Sequence, residues 1–319
     1  MRLIRIQRET DDAVTLTFSL PQGKALQSSP GQFLTFNWIV NGQTLPRSYS
    51  ISSVPSRVGS FDVTVKKQGI VSTFLNESAR EGLTVVANGP YGRFVFDLSE
   101  RRTPVFFAAG SGITPILSML RHIEENSPAC EVTLFYVSRD DRQIIFKADL
   151  DRLATSLTKF YFVPIVTRPS AEWVGERGQL TKEIVLKTMP SVEGKTFFLS
   201  GPAGYMTAVN AILTSLGVGA NQIHQERFAP SAVAYHRRDL QRALENRAVL
   251  QGPQAKSDCE ELRRYQRKRT PHPDLDSLDR PAPAEMAAPP LQGRLVSVQS
   301  GVDAAAKPVY LSRIDSVAG

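Results

Sequence analysis

Leu45-Pro46-Arg47-Ser48-Tyr49-Ser50-Ile51-Ser52 is the stretch from which the rest of the chain can be read. A proline and an arginine lead into alternating residues whose polar members are hydroxyls and a phenol. On a flat strand, period-two alternation sends Arg47, Tyr49 and Ile51 to one face, and Ser48, Ser50 and Ser52 to the other. A guanidinium forks onto phosphate, a phenol ring lies against a flat heterocycle, and a serine hydroxyl bonds a ring nitrogen. Together these are the needs of a flavin nucleotide. An edge strand with a solvated arginine would carry the same letters, so the neighbouring sequence has to decide.

Around this stretch, residues 1–99 read as strands. Val14-Thr15-Leu16-Thr17-Phe18, Phe33 to Trp38 and Phe61 to Lys66 alternate apolar with polar, and the N-terminus Met1 to Arg8 reads as a strand rather than a signal peptide. Pro30-Gly31, Asn41-Gly42, Val58-Gly59 and Asn88-Gly89-Pro90 are turn signals. Short strands with turns every ten or so residues predict a small antiparallel β-barrel. One helix, Val71 to Glu77, is entered through Gly69. Lys66-Lys67-Gln68-Gly69-Ile70-Val71-Ser72 offers an anion cradle at that helix start, although a capped surface helix would look alike. Gly89-Pro90-Tyr91-Gly92-Arg93-Phe94 reads as a turn closing the barrel, with Tyr91 and Phe94 available to border a ring.

From residue 102 the pattern changes. Val105-Phe106-Phe107-Ala108-Ala109 is a continuous apolar run, as a buried parallel strand requires. Helical spacing follows over Ile116 to Glu125. Further strands are predicted at 132–137, 160–167, 196–199 and from Ile223, and further helices at 146–153, near Thr181 and at 202–216. Strands alternating with helices predict an α/β domain with a parallel sheet covered on both faces. Gly110-Ser111-Gly112-Ile113-Thr114-Pro115 ends the first of these strands and opens a helix, where glycines and free N–H groups suit a pyrophosphate. Ser200-Gly201-Pro202-Ala203-Gly204-Tyr205-Met206 repeats the arrangement at what reads as the fourth strand. Either loop alone is a common turn; two facing one cleft point to a dinucleotide.

The order of these motifs, closing with Glu226-Arg227-Phe228, resembles the ferredoxin–NADP reductase superfamily, and within it the reductase components of bacterial oxygenases. The resemblance covers residues 1–228. It implies an FAD-binding β-barrel domain over 1–99, an NAD(P)-binding α/β domain over 102–228, and a flavoprotein oxidoreductase that passes electrons from NAD(P)H to a one-electron acceptor. It places Arg47 on the flavin phosphates, Tyr49 against the isoalloxazine, and Ser50 near its reactive nitrogen. Ser48 belongs to the same strand motif. Lys66, Gly69, Val71 and Ser72 would cradle the pyrophosphate. Gly110, Gly112, Thr114, Pro115, Ser200, Gly201, Pro202 and Met206 would meet the nicotinamide nucleotide, with Glu226 and Phe228 beside the flavin. Ser50 and Glu226 are the residues expected nearest the chemistry. Where the family carries Cys-Gly-Pro, this chain has Ser200-Gly201-Pro202.

Arg139 and Arg168 lie just past strand ends, where a guanidinium suits the 2′-phosphate of NADPH; Asp140 and Asp141 beside them would suit the free ribose hydroxyls of NADH. The reading leans to NADPH. No metal site is expected.

The 319 residues exceed one domain. The net charge of +7 suggests anionic partners without separating nucleotides from acidic proteins or nucleic acid. Cys130 and Cys259 fit neither a metal spacing nor a disulfide framework, and no apolar run would cross a bilayer, so a cytoplasmic protein is expected. Nine of the 21 prolines fall from Pro230 onward, and residues 229–319 read as an Arg/Pro/Ala-rich tail of low order, with one candidate helix at 236–250. Many relatives carry a four-cysteine [2Fe–2S] module after the reductase. With only Cys259 in the tail, no such cluster is expected in this chain. Three explanations compete: the acceptor cluster belongs to a separate ferredoxin or oxygenase component, which is the partner expected; the tail is a docking segment; or a frameshift has scrambled a former ferredoxin module. The rival reading is a redox-sensing nucleotide-binding protein whose basic run 263–269 docks nucleic acid or a partner. One tyrosine in that run gives little stacking, so nucleic acid is not the expected partner.

Overall fold

The structure, a computed structural model, describes residues 1–99 and 102–227. Phe228, Cys259, the candidate helix at 236–250 and the tail lie outside the described residues.

The first half contains β1 (Leu3–Thr10), β2 (Ala13–Ser19), β3 (Phe33–Val40), β4 (Gln43–Ser50), β5 (Ser60–Lys66), α1 (Ile70–Glu77) and β6 (Val86–Tyr91). Two antiparallel sheets, β1-β2-β5 and β4-β3-β6, are joined by bridges between Ile51 and Val63 and between Arg2 and Thr84. Their inner faces enclose Phe18, Phe36, Trp38 and Phe61, with Phe18 and Phe61 stacked at 5.6 Å and Phe36 and Trp38 at 5.4 Å. Asn41-Gly42, both at positive φ, form the two-residue hairpin loop between β3 and β4 and fix a register that sets Tyr49 opposite Leu34 and Arg47 opposite Phe36.

The alternation of β2 and β5 does not end in a solvated face. Thr15, Thr17, Asp62 and Thr64 are all buried, because they satisfy one another: Thr17 Oγ1 donates to Asp62 at 2.7 Å, the Thr15 and Thr64 hydroxyls lie 2.8 Å apart, and Arg57 caps Asp62 at 2.6 Å. A second departure concerns Asn88-Gly89-Pro90. These residues are no turn; they run inside β6, paired with β3 through a register shift between Phe33 and Thr35 that accommodates an irregular stretch of strand.

The second half contains β7 (Thr103–Ala109), α2 (Ile113–Asn126), β8 (Val132–Ser138), α3 (Lys147–Ser156), β9 (Phe160–Val166), β10 (Glu176–Arg177), α4 (Lys182–Thr188), β11 (Lys195–Ser200), α5 (Ala203–Ser215) and β12 (Ile223–Glu226). All six strands are parallel, in the order β10-β9-β8-β7-β11-β12. The two-residue β10 gives no sequence signal, which makes Ser200 the end of the fifth strand rather than the fourth. One sheet face packs on α2 and α3 through Ile116, Leu120, Leu150 and Leu153. The other packs on α4 and α5 through Val185, Val209 and Leu213. The chain leaves β7 for β8 on one side and returns to β11 on the other, so the switch point lies between β7 and β11, where open parallel sheets bind ligands.

Phe94 belongs to this second half's packing, not to a ring-binding border. It is 3% exposed and sits edge-on to Phe198 at 5.6 Å, while Phe96 packs on Phe198 and Phe106. Among the described residues no helix is long and apolar enough to cross a membrane.

Candidate nucleotide-binding sites

On β4, Arg47 and Tyr49 share a face as their spacing predicts. Arg47 is half-buried and donates only to the adjacent Pro46 carbonyl, at 2.7 Å; no carboxylate among the described residues pairs with it. Tyr49 packs against Phe36 at 6.1 Å. Burial pushes its phenol well above the ordinary range, opposed by the nearby positive charge of Arg47, so it is a neutral ring beside a free cation. Ser50 is 4% exposed and its hydroxyl bonds no other described residue. Ser48 differs: it is exposed and lies 2.9 Å from the Thr35 hydroxyl.

The turn before α1 is more self-contained than its sequence suggests. The Ser72 hydroxyl accepts from the amides of Gln68 and Gly69, both at 2.8 Å, and donates to the Gly69 carbonyl at 2.9 Å. Val71 is 1% exposed and packs in the barrel core. The Lys66 ammonium is 3.3 Å from Asp12. As side chains, then, Lys66, Val71 and Ser72 are engaged within the protein, and what the turn still offers is backbone. The amides of Ile70 and Val71 have no carbonyl four residues back within the helix. Gly69 beside them has extended backbone, and a Cβ there would meet nothing within 4 Å.

At the switch point the two glycine loops touch. A Cβ on Gly112 would lie 2.1 Å from the Ser200 carbonyl oxygen, so only glycine lets the β7 and β11 loops close on each other. Gly110 accepts a hydrogen bond from the Tyr136 hydroxyl at 3.1 Å. Thr114 is buried in the first turn of α2 and donates to the Ser111 carbonyl at 3.0 Å, with Pro115 next to it where a missing N–H costs nothing. Met206, in the first turn of α5, is 3% exposed, while Pro202 is exposed ahead of α5. The Ser200 and Tyr205 hydroxyls are buried with no hydrogen-bond partner among the described residues. Tyr205 carried no distinguishing sequence signal, since an aromatic in a helix start is usually core. Glu226 pairs with Ser200 across β11 and β12, and burial pushes its carboxyl up to about 7.

At the far end of the same sheet edge, the amide of Arg168 donates to the Arg139 carbonyl at 2.8 Å, which sets the two exposed arginines side by side. Neither makes an ion pair among the described residues. The two acids are already engaged. Asp140 accepts from the Arg142 side chain at 3.2 Å and its amide at 3.0 Å, and Asp141 accepts from the Ser170 amide at 2.8 Å and hydroxyl at 3.1 Å. Those bonds hold both carboxyls below the usual carboxylate range.

Residues 1–96 match the oxidoreductase FAD-binding domain and residues 106–211 the oxidoreductase NAD-binding domain. The glycine betaine monooxygenase reductase subunit of Pseudomonas aeruginosa is 30% identical over 236 residues, 72% of this chain and 64% of that protein. The ferredoxin reductase component of 3-ketosteroid-9-alpha-monooxygenase from Mycobacterium tuberculosis is 31% identical over 241 residues, again 72% and 64%. The chain therefore spans about two thirds of the length of these relatives. In fold it is similar to the FAD/NAD-binding domain of nitric oxide dioxygenase from Vibrio cholerae, with a TM-score of 0.66 at 23% identity, covering 72% of this chain and 98% of that one.

Proposed function

We propose that this chain, whose residues 1–96 and 106–211 match oxidoreductase FAD-binding and NAD-binding domains, is a member of the ferredoxin–NADP reductase superfamily and an FAD-dependent NADPH oxidoreductase that supplies electrons to a separate iron–sulfur or oxygenase component. The observation that carries this reading is the state of β4: a cation, a neutral phenol and a hydroxyl on one short strand, with their ligand-directed groups unspent within the protein. When bound, FAD would supply the redox chemistry that links a two-electron nicotinamide donor to a one-electron acceptor.

The chain's own residues bind and orient. Arg47 would neutralise the phosphates, Tyr49 would lie along the ring system, and Ser50 would donate to a ring nitrogen. The Ile70 and Val71 amides would meet the pyrophosphate across the open space above Gly69. The Gly110 and Ser200 loops, with Thr114 in the helix start, would hold the second nucleotide, and the orphaned Ser200 hydroxyl faces the same task. Glu226, close to half-protonated at neutral pH, can donate as well as accept a hydrogen bond beside that cleft. At the adenosine end, Asp140 and Asp141 are bonded within the protein while Arg139 and Arg168 stay free, which favours the 2′-phosphate of NADPH. The acceptor is inferred from the relatives, which are reductase components of monooxygenases.

Purification tests this directly. A yellow protein with one FAD, bleached anaerobically by NADPH and able to reduce ferricyanide or cytochrome c, is the expected result, with kcat/KM higher for NADPH than for NADH. A colourless preparation that takes up no FAD would overturn it.

A further inference from the structure

The stretch that follows β4 is gripped by the helix that carries the nucleotide loop. Arg121 of α2 donates through Nη1 to the Ser52 carbonyl at 2.9 Å and through Nη2 to Asp149 of α3 at 2.8 Å. One turn earlier on the same helix, the Ser118 hydroxyl donates to the Ser53 carbonyl at 2.7 Å. These contacts are far from solvent: Ser52, Ser53 and Ser118 are at most 1% exposed, and both side chains of the ion pair are 22% exposed. Thr114, Ser118 and Arg121 stand at spacings of four and three, so they form one stripe along α2. Its upper end is in the nucleotide loop and its lower end holds the peptide two residues beyond Ser50.

The same peptide is fixed from the barrel side. The Ser52 hydroxyl lies 3.0 Å from Thr64, Thr64 lies 2.8 Å from Thr15, and Thr15 donates to Glu9 at 2.6 Å. Residues 52 and 53 are therefore one joint between the halves, beside the Ser56–Glu125 bond and the close approach of Gly31 to Met119, and α2 acts as a spacer of about two turns, roughly 10 Å, between that joint and the nucleotide loop.

We propose that Arg121 is a positioning residue for hydride transfer, holding the flavin strand at a set distance from the nicotinamide loop through the Ser52 carbonyl, with Asp149 fixing the guanidinium and Ser118 assisting. The proposal rests on the reductase reading above. In the step concerned one hydride leaves the reduced nicotinamide, which is oxidised, and the flavin is reduced. Ring-to-ring placement governs the rate of such a step, and an error near 1 Å is worth on the order of a hundredfold.

The test uses the full chain. With Arg121→Ala we expect FAD content and the Kd for NADPH to stay within twofold of wild type, while the limiting rate of flavin bleaching in stopped flow falls tenfold or more. Amide exchange across 51–57 should accelerate in the same variant. Arg121→Lys, which keeps the cation but cannot span both acceptors equally well, should recover part of the rate, and Ser118→Ala should lose a few-fold. An unchanged limiting rate in Arg121→Ala would overturn the proposal, as would loss of FAD or NADPH binding in step with the rate in both the Arg121→Ala and Ser118→Ala variants. A wild-type protein that NADPH does not bleach would overturn the reductase reading instead. The exchange measurement needs no cofactor, so it still decides whether Arg121 holds the segment.

Discussion

Gly112 and Gly69 open the two helices that face the proposed ligands, yet they are glycines for opposite reasons. At Gly112 the protein itself leaves no room, because the Ser200 carbonyl already occupies the place of a side chain. At Gly69 the backbone is extended, a conformation any residue adopts, and the space for a side chain is empty. One glycine joins two loops of the sheet. The other leaves an opening where, on the proposed reading, a pyrophosphate would lie. Packing thus accounts for the glycine at the β7–β11 switch point, whereas packing does not require one at the barrel's turn.

The sharpest way to break this contrast is Gly112→Ala. Its Cβ would be driven into backbone rather than a flexible side chain, so the loops must separate. Overpacking costs about 1–3 kcal/mol where side chains can adjust, and this site should reach the upper end or beyond. For a domain of this size the melting temperature should fall by about 5–10 °C, and NADPH binding should be lost before FAD binding. Unchanged melting would mean the two loops are not in contact.

On the barrel side the corresponding large effect is electrostatic, not steric. Arg47→Ala removes a cation that bonds nothing but its neighbour's carbonyl, so the apoprotein should melt within a degree or two of wild type. Hydrogen bonds to charged groups are worth about 1.5–3 kcal/mol, which predicts a rise in the Kd for FAD of about 10- to 100-fold by fluorescence titration. Loss of apoprotein stability instead would assign Arg47 to the fold.

Glu226, next to Ser200, tests the switch-point side through pH. Burial raises its carboxyl from the ordinary value near 4.5 to about 7. A raised acid holds its proton longer in the folded state than in the unfolded one. Its stabilising share is thus complete below about pH 4, declines as pH rises towards 7, and is gone above that. Glu226→Gln should flatten this slope and stabilise the protein at pH 8 by on the order of 1–2 kcal/mol. An identical pH profile of melting for both proteins would show the carboxyl to be solvated.

Most of the architecture was legible because it follows from repeating patterns: alternation around Val14 and Phe61, the apolar run at Val105, and glycines at the ends of buried strands. What escaped were features fixed by partners remote in sequence. The alternation of β2 does not show where its polar face goes; Asp62 and Thr64, some fifty residues away, bury it. Asn88-Gly89-Pro90 has the composition of a turn and the pairing of a strand, because β3 imposes it. At the candidate sites, residue types singled out Arg47, Tyr49 and the glycine loops. They could not announce that Ser72 would spend its hydroxyl on its own turn, that Met206 would be buried, or that Arg121, one charged residue among several on α2, would reach across to Ser52.

The smallest effect bears hardest on the contrast. Gly69→Ala places a methyl in open space on an extended backbone, so the apoprotein should hold its stability or gain about 0.4–1 kcal/mol from the stiffer unfolded chain. If the space belongs to a pyrophosphate, the Kd for FAD should nevertheless rise several-fold. Ser72→Ala should behave in the reverse manner. It strips two amides of the oxygen they bond, costs about 1 kcal/mol of stability, and touches FAD only through the shape of the helix start. Measured together by thermal melting and FAD titration, the two variants should cross: one loses ligand but not fold, the other fold more than ligand. Equal FAD affinity in Gly69→Ala and wild type would leave that glycine without a reason on either side, and would move the pyrophosphate away from the α1 turn.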